Sequence, residues 1–511
     1  MASAAPLETR RRPTRAPAPA RAAPDAPADT RHHTVAGTLL LLLLAGFAMF
    51  DRTLALLSIP GVPIYPAEIV LGIGLAYLAL RRPLFRTVRT GRWLAPLLLV
   101  VYLGWGLIKV LTSMGNPILD VVRDSALVYY ALFAFVVVGL ADHDDRFTPR
   151  GLLEVYGRFV PWFLMVAPVR LVSATVYADQ GPVLPGTDYT FLTNHRLGNL
   201  GAGIGLAVVY LATARRRDRW AVVGIVAGVL MLIVIGTQNR GGLLAGGLTL
   251  LVALVLWGRH VRLQLGWVAA VLLGTFVLAW SLNVTIVTPD SGRTISVDQL
   301  GTNITTALGV DDDPSSQAGD TIDFREELWQ RVLHDTVESG QLENGWGFGK
   351  NLGSDYLPSH EDRSLRNPHN SHLTVVARLG LVGLGIWIAL WVSWLVGVVG
   401  RSRVAVRTGR RWADPAGRLA LLCSVGVIAI LVNAYVDPTL ETPMVAVWLW
   451  TLFGAGVLAV ASDRSPGLRS VEPTPPARSA AAGADRQGQR RRVTRSGRTA
   501  THGSVGRDNG G

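Results

Sequence analysis

A histidine stands directly before a long apolar run, in the sequence Asn367-Pro368-His369. Asparagine suits the N-cap of a helix and proline its first position, so the sequence predicts His369 in the first turn of the helix that follows. The positive end of the helix dipole and the nearby Arg363 and Arg366 should both disfavour a protonated imidazole. Since a general base must be unprotonated at pH 7, His369 is a candidate base.

The plainer interpretation is that His369 only caps and solvates the helix end, together with Asn370 and His372. His369 and His372 also form a His-x-x-His pair, a spacing found in some zinc sites. No cysteine, third histidine or nearby carboxylate completes a ligand set at a familiar spacing, and the acidic run at 311–313 is typical of a solvated turn. The sequence therefore predicts neither a metal nor another cofactor.

Three arginines between apolar runs are the next candidates. Arg240 is a lone charge in Thr237-Gln-Asn-Arg-Gly-Gly242, and a charge in such a place is a functional hypothesis by default. Arg325 precedes Trp329 by one helical turn, and the planar guanidinium group suits the oxygens of a phosphate or diphosphate. A lipid headgroup contact for Arg240 and a surface salt bridge for Arg325 are the alternatives. Arg196 is a weaker candidate, which could instead pair inside a helix bundle.

The composition is that of a membrane protein. Of the 511 residues, 50% are hydrophobic and 17% charged, whereas soluble proteins carry about 25% charged residues. The net charge of +13 lies mostly in the two ends and in short loops between apolar runs, which indicates a lipid bilayer and no nucleic-acid partner. The single cysteine, Cys423, excludes an intrachain disulfide.

The apolar runs predict an all-α polytopic membrane protein with about twelve transmembrane helices and one long, partly helical extracytoplasmic loop. The predicted spans are 35–58, 66–80, 93–111, 125–140, 152–170, 200–213, 221–237, 242–257, 265–287, 371–399, 419–434 and 444–461. The domains are a disordered basic cytoplasmic tail (1–34), helices one to nine (35–287), the loop domain (288–371), helices ten to twelve (372–461) and a second disordered basic cytoplasmic tail (462–511).

The distribution of arginine predicts the orientation. The five loops expected to be cytoplasmic contain 19 arginines, against five in the short outer loops. By the positive-inside rule both termini lie in the cytoplasm, in a multi-pass protein of the plasma (inner) membrane.

A helix is predicted within the long loop. Asp323 and Glu326 have the spacing of a capping box, Phe324, Leu328 and Val332 share one face, and Gly340 follows as a terminator. The glycines at 345, 347 and 349 suggest a tight turn that brings this helix close to His369, since no strand or Walker-type lysine makes them a nucleotide loop.

These elements, taken in order, resemble the O-antigen ligase and polymerase superfamily. The matching stretches are Gln238-Asn-Arg240-Gly-Gly-Leu-Leu, Arg325-Glu-Glu-Leu-Trp329, Gly345-Trp-Gly-Phe-Gly349, and Pro368-His-Asn-Ser-His-Leu373 leading to Leu379-Gly-Leu-Val-Gly383. The resemblance covers roughly residues 195 to 400. Arg196 is similar to a further family arginine, but the Asn-Pro-Asn that commonly follows is absent here.

The resemblance implies a metal-independent membrane glycosyltransferase of the polysaccharide-biosynthesis machinery. The donor would be a glycan on undecaprenyl diphosphate, and the acceptor a hydroxyl of a glycan, lipid or protein outside the membrane. His369 would activate the acceptor, with Asn370, His372 and Trp329 in support. Arg240, Arg325 and Arg196 would bind the diphosphate.

Two other functions remain open from the sequence. One is a polyprenyl-phosphate-sugar glycosyltransferase with a catalytic carboxylate in the first outer loop, for which Asp51 and Glu68 are available. The other is a transporter of lipid-linked glycans without chemistry of its own. The absence of an obvious internal repeat or of a pair of broken helices counts against the transporter.

Overall fold

The structure is a computed structural model that describes residues 32–57, 64–82, 93–176, 196–214, 219–258, 294–307, 317–356, 366–409 and 413–462, with single residues and short pieces between 183 and 287. Almost all of both predicted tails, most of the predicted span 265–287, Arg363 and the acidic run 311–313 lie outside the described residues.

The described chain is almost entirely helical. In chain order the helices are α1 (Val35–Phe50), α2 (Arg52–Ala55), α3 (Pro66–Arg81), α4 (Leu94–Thr112), α5 (Ile118–Asp124), α6 (Ala126–Tyr129), α7 (Leu132–Leu140), α8 (Pro149–Val176), α9 (Leu197–Ala212), α10 (Arg219–Gln238), α11 (Arg240–Trp257), α12 (Val297–Ala307), α13 (Gln317–Glu338), α14 (Ser371–Arg407), α15 (Pro415–Val436) and α16 (Pro443–Ala461). Two short strands, β1 (Ile286–Val287) and β2 (Thr294–Ile295), pair antiparallel.

Seven of the described helices are long and apolar enough to cross a membrane: α4, α8, α10, α11, α14, α15 and α16. The segments α5–α6 and α7 would form an eighth span if taken together, bent by 48°. Helices α1 and α9 are apolar but have only 16 residues each, short of the roughly 20 that a bilayer requires. The predicted helical architecture with several candidate membrane spans is confirmed, whereas the count of twelve spans and the extracytoplasmic loop stay predictions.

The outer surface of the bundle is apolar, as a lipid-facing surface must be. On α4, Leu97, Leu107 and Leu111 are each 58–59% exposed, and Val396 on α14 is 70% exposed. Apolar surface of this extent is costly in water but not in hydrocarbon, because lipid tails are themselves apolar.

A cluster of aromatic side chains joins α14 to α16 in the interior of the bundle. Trp387, Trp391 and Trp394 follow one another at intervals of four and three residues, so they share one face of α14. They pack against Trp450 and Phe453 of α16, with ring centroids 5.4–6.1 Å apart in the contacts around Trp391 and Trp450. The Trp394 indole N–H donates to the Phe453 carbonyl at 3.0 Å, which satisfies a polar atom in this interior.

Helix α14 is interrupted at Gly380, which has φ +69°. The break frees main-chain groups, and the glycine-rich segment before the helix pairs with them. Trp346 N–H donates to Ala377 O at 2.7 Å, Gly347 N–H to Arg378 O at 2.9 Å, and Leu381 N–H to Leu342 O at 2.9 Å. The segment 345–349 is therefore a tight turn, as the sequence indicated, but it is bonded to the break in the first third of α14.

Gly380→Ala should destabilise the fold. A Cβ at this position would lie 2.1 Å from the Glu343 carbonyl oxygen, and a left-handed conformation costs a non-glycine residue about 1–3 kcal/mol before any clash. The matched control is Gly385→Ala in the same helix, where a Cβ meets nothing within 4 Å. Thermal unfolding of the detergent-solubilised protein should show a clear loss for the first variant and none for the second. Equal melting temperatures would contradict the role of the break.

Helix α13 begins earlier than the sequence indicated. It starts at Gln317, so Asp323 lies inside the helix and the predicted N-cap was wrong. The core face is confirmed for Leu328 and Val332, which are buried, whereas Phe324 is exposed. The helix ends at Glu338, and Gly340 follows with φ +70°, as expected for a terminator.

Candidate active site

His369 lies in a turn immediately before α14 and not inside the helix. The N-cap is Asn370, whose side-chain oxygen accepts from the amides of His372 and Leu373, both at 3.0 Å. The predicted cap at Asn367, with Pro368 as first helical residue, was therefore wrong. Asn367 and Asn370 could both have capped the start of α14, and Asn370 does so.

The backbone of His369 has φ +53°, a left-handed conformation that few residues other than glycine adopt. Such strain persists only where neighbouring groups enforce it. The Trp329 indole N–H donates to Pro368 O at 2.6 Å, and the side-chain oxygen of Asn367 accepts from His369 N–H at 3.4 Å. Trp329 is itself placed by an edge contact with the ring of Tyr435, 5.4 Å between centroids. Helix α13 thus directly contacts the turn formed by residues 367–370, which we call the histidine turn.

Four charged side chains act on the His369 imidazole. Burial lowers the pKa of His369 to about 4, and the next largest cause is the positive charge of Arg325. Arg196 and Arg52 lower the pKa further, while the carboxylate of Asp437 raises it. The imidazole is therefore neutral at pH 7, as the sequence predicted, but the physical causes are burial and Arg325.

The sequence predicted that Arg366 helps to lower the pKa of His369, but Arg366 is paired with another side chain. Its guanidinium lies 3.1 Å from Asp124, and the buried Arg378 of α14 lies 3.0 Å from the same carboxylate. Beside this pair, Asn367 donates to Glu441 at 3.0 Å, and burial raises the pKa of the Glu441 carboxyl. Through Arg366 and Asn367 the histidine turn is bonded to Asp124 and Glu441 of the bundle. Its position therefore does not depend on α13 alone.

Arg196 and Asp437 form an ion pair beside the histidine turn. The backbone N–H of Arg196 also donates to Asp51 at 2.9 Å, and Asp51 accepts from Asn199 at 3.3 Å and faces Arg170 at 3.4 Å. Asp51 is 1% exposed and therefore serves to hold the start of α9. Arg196 is thus held by two carboxylates: Asp437 binds its guanidinium and Asp51 binds its backbone N–H.

Arg325, Arg196, Arg52 and Asp437 surround His369, and these five side chains form the charged group. Arg325 is partly buried, which lowers its pKa, and it feels the charges of both Asp437 and Arg196. Arg240 is the first residue of α11, behind the N-cap Asn239, whose side chain accepts from Gly242 N–H at 2.7 Å.

Helix α11 begins next to the end of α15. A Cβ at Gly241 would lie 3.5 Å from a side-chain atom of Val436, the residue before Asp437. Arg240 therefore lies at the same end of the bundle as Asp437, at a neighbouring helix start.

His372 has a different environment from His369. Its Nε2 lies 2.9 Å from the carbonyl oxygen of Leu431, so it joins the first turn of α14 to α15. In the part of the chain that the structure describes, no group of three or more histidine, cysteine or acidic side chains could hold a metal ion. His372 thus contacts α15, whereas His369 faces Arg325, Arg196 and Asp437.

Asp437 and Arg52 were not found from the sequence. Asp437 is one of two carboxylates, with Glu441, between the apolar runs of α15 and α16. A charge between apolar runs is the signal that drew attention to Arg240, and the same rule could have found Asp437. Arg52 is likewise a charge that interrupts an apolar run, but its proximity to His369 depends on how α1 and α2 pack.

Part of the chain matches a known family model. Residues 229–388 match a family model described as O-antigen ligase, which confirms the resemblance to the O-antigen ligase and polymerase superfamily. The matched region contains His369 and the arginines at 240 and 325. No curated protein matches the chain. The match and the apolar helices together indicate a membrane protein of polysaccharide biosynthesis, with a function of the O-antigen ligase or polymerase type.

Proposed function

On the premise of this O-antigen ligase domain, we propose that the protein transfers a glycan from undecaprenyl diphosphate to an acceptor hydroxyl on the outer side of the plasma (inner) membrane. The observation that carries the proposal is the neutral, partly buried His369 held in a strained turn opposite Arg325 and Arg196. Strained backbone and a shifted pKa at one residue are typical of functional sites. In this arrangement the segment between α11 and α14 faces outward, and both termini are cytoplasmic.

The proposed reaction is one displacement at the anomeric carbon of the donor glycan. The acceptor oxygen forms the new bond to that carbon while the bond to the diphosphate oxygen breaks, and undecaprenyl diphosphate leaves with the electron pair. His369 takes the proton of the acceptor hydroxyl. Arg325, Arg196 and Arg240 stabilise the charge on the departing diphosphate, and no metal is assigned a role.

The charged group explains how a base with so low a pKa becomes effective. In the free protein Arg325 and Arg196 disfavour a protonated His369. A bound diphosphate would neutralise both arginines and raise the pKa of His369, since a nearby negative charge favours the imidazolium. Asp437, which already raises this pKa, would stabilise the imidazolium after proton transfer. Donor binding and base activation are then coupled through the same two arginines.

Two apolar cavities support an amphiphilic donor. They are bounded in common by Tyr156, Phe159, Leu206, Trp448 and Leu452, and one extends to Asp51 at its polar end. Because Asp51 binds the backbone of Arg196, the polar end adjoins the charged group. We place the first isoprene units of the donor in these cavities, whose volumes are about 90 and 120 Å³, and its diphosphate at the arginines.

The alternative with a first-loop carboxylate has less support. Asp51 is buried and bonded to the start of α9, and Glu68 accepts from the hydroxyls of Tyr129 and Tyr130 at 3.0 and 2.6 Å. Both carboxylates therefore have structural partners inside the bundle, whereas His369 is held by backbone contacts that leave its imidazole opposite the arginines.

The proposal is tested with the full-length protein in lipid nanodiscs, supplied with an undecaprenyl diphosphate-linked glycan. We expect release of undecaprenyl diphosphate together with a longer lipid-linked glycan (polymerase) or with a glycosylated envelope acceptor (ligase). Release of undecaprenyl monophosphate from a monophosphate-linked sugar would instead favour the first-loop carboxylate enzyme. Movement of intact lipid-linked glycan between leaflets without bond cleavage would favour the transporter.

The pH dependence of transfer should show different pKa values for His369 in the free protein and in the donor complex. The imidazole must be neutral to act, and its pKa is about 4 rather than the ordinary 6.5, so kcat/KM should fall only as the pH drops toward 4. The acid limb of kcat should lie at higher pH, because kcat reports the pKa in the donor complex. Steady-state rates between pH 4 and 8 provide the check. An acid limb of kcat/KM near pH 6.5 would contradict the assignment.

A further inference from the structure

An open cleft lies on the flank of α13, outside the membrane-spanning helices. Its wall is formed by four residues of α13 between Gln330 and Asp335, and the opposite side by Lys350, Asp355 and Tyr356. The volume of the cleft is about 760 Å³, within the range of about 300–1,000 Å³ typical of small-molecule sites. None of these residues takes part in the site around His369.

The floor of the cleft is preorganised. The Lys350 ammonium lies 3.2 Å from the centroid of the Trp346 ring and 2.7 Å from Asp335. The Tyr356 hydroxyl donates to the same Asp335 carboxylate at 2.5 Å, and these bonds lower the pKa of Asp335. Arg331 donates to the Tyr356 carbonyl at 2.8 Å, which fixes the second side of the cleft. The cleft therefore keeps its shape without a ligand.

The lining has the chemistry of a saccharide site. Two cations, Arg331 and Lys350, are balanced by Asp335 and Asp355, so the cleft has no net charge that would select a phosphate or an anionic lipid. Hydrogen-bond donors and acceptors surround a tyrosine ring, and exposed polar side chains at 330 and 334 face solvent. Such a combination matches the hydroxyls and apolar faces of a neutral sugar.

We propose that this cleft binds a neutral segment of the glycan substrate, away from the reacting sugar. The inference rests on the proposed function and extends it to a second subsite. Asp335 follows Arg325 on the same helix, about 15 Å further along at 1.5 Å per residue. Since Trp329 of that helix bonds to the histidine turn, α13 sets a fixed spacing between the saccharide cleft and the reacting end.

The test measures binding in a protein that does not turn over. Full-length protein carrying His369→Ala, in detergent, is applied to a panel of immobilised neutral and anionic bacterial-type oligosaccharides. We expect binding to neutral oligosaccharides, weakened at least tenfold when Gln330→Ala and His334→Ala are added. Both side chains are exposed, so the fold should tolerate their loss. The matched control is Glu326→Ala, an exposed residue of the same helix outside the cleft.

Failure of this inference is distinguishable from failure of the proposed function. Absence of neutral oligosaccharide binding, preference for anionic ones, or equal binding by the cleft variant would overturn the saccharide site. Those results would leave the transfer activity of the unmodified protein untouched. In the chain with His369 intact, the cleft variant should raise KM for the glycan with little change in kcat, as expected for loss of uniform binding. A fall in kcat alone would also contradict the inference.

Discussion

Replacing His369 by alanine is expected to reduce glycan transfer by about 10²–10⁴-fold, the range that general base catalysis contributes. The lipid-diphosphate-linked glycan should accumulate while the amount of folded protein stays unchanged. The fold should tolerate the change, because the turn is held by Trp329, Asn367 and Asn370 and not by the imidazole itself. Quantifying lipid-linked glycan and transferred glycan in the same membranes provides the measurement.

Two further histidines serve as controls for this result. His32→Ala changes an exposed residue at the start of the described chain and should leave transfer intact. His372→Ala removes the contact with Leu431 between α14 and α15, so it should lower thermal stability more than His369→Ala does. Normal transfer by the His369 variant would refute its assignment as the base.

The second large effect is expected at Arg325. Its replacement by alanine should lower kcat by about 10²–10³-fold, the loss typical of removing one group that stabilises developing charge. The variant should also raise KM for the donor, because the diphosphate loses a partner before and during the reaction. Lysine should restore only part of the activity, since it lacks the planar pair of donors that fits two phosphate oxygens. Steady-state transfer assays with the lipid-linked donor measure both constants.

Arg325 also has an effect that a purely structural arginine would lack. Its charge is the largest electrostatic cause of the low pKa of His369, so Arg325→Gln should raise that pKa and move the acid limb of kcat/KM to higher pH. The control is Arg150→Ala, a side chain that is 81% exposed on α8 and paired with Glu154. If the Arg325 and Arg150 variants had the same rates and pH profiles, the diphosphate role of Arg325 would be excluded.

Much of the fold followed from the sequence because membrane spans are long and apolar. All described helices except α5 and the two loop helices α12 and α13 overlap the predicted spans. The interruption after α1 falls at Asp51, where the sequence places two charges. The boundaries were less accurate. Helix α13 starts before its apparent capping box, and α14 starts after its apparent cap. A local sequence pattern shows which residues are able to cap a helix, but it does not show which of them forms the cap.

The candidate site was only partly accessible to the same reasoning. His369 and the arginines at 325 and 196 were singled out individually, and the structure places them in one charged group. The ion pair between Arg196 and Asp437 joins residues on α9 and after α15, a tertiary contact that no local pattern contains. The positive φ of His369 was hidden for a related reason, since the turn is held in part by Trp329 of α13, which donates to Pro368 O.

The bonds between the segment 342–347 and the break at Gly380 affect how regions could be exchanged between relatives. Main-chain groups released inside a span must be satisfied by protein, because hydrocarbon offers them no partner. A chimera that exchanges only the residues before α14 would replace those partners, and one that exchanges only α14 would replace the groups to which they bond. The smallest transferable module is therefore the continuous stretch from 341 to 383, which includes the turn that carries His369.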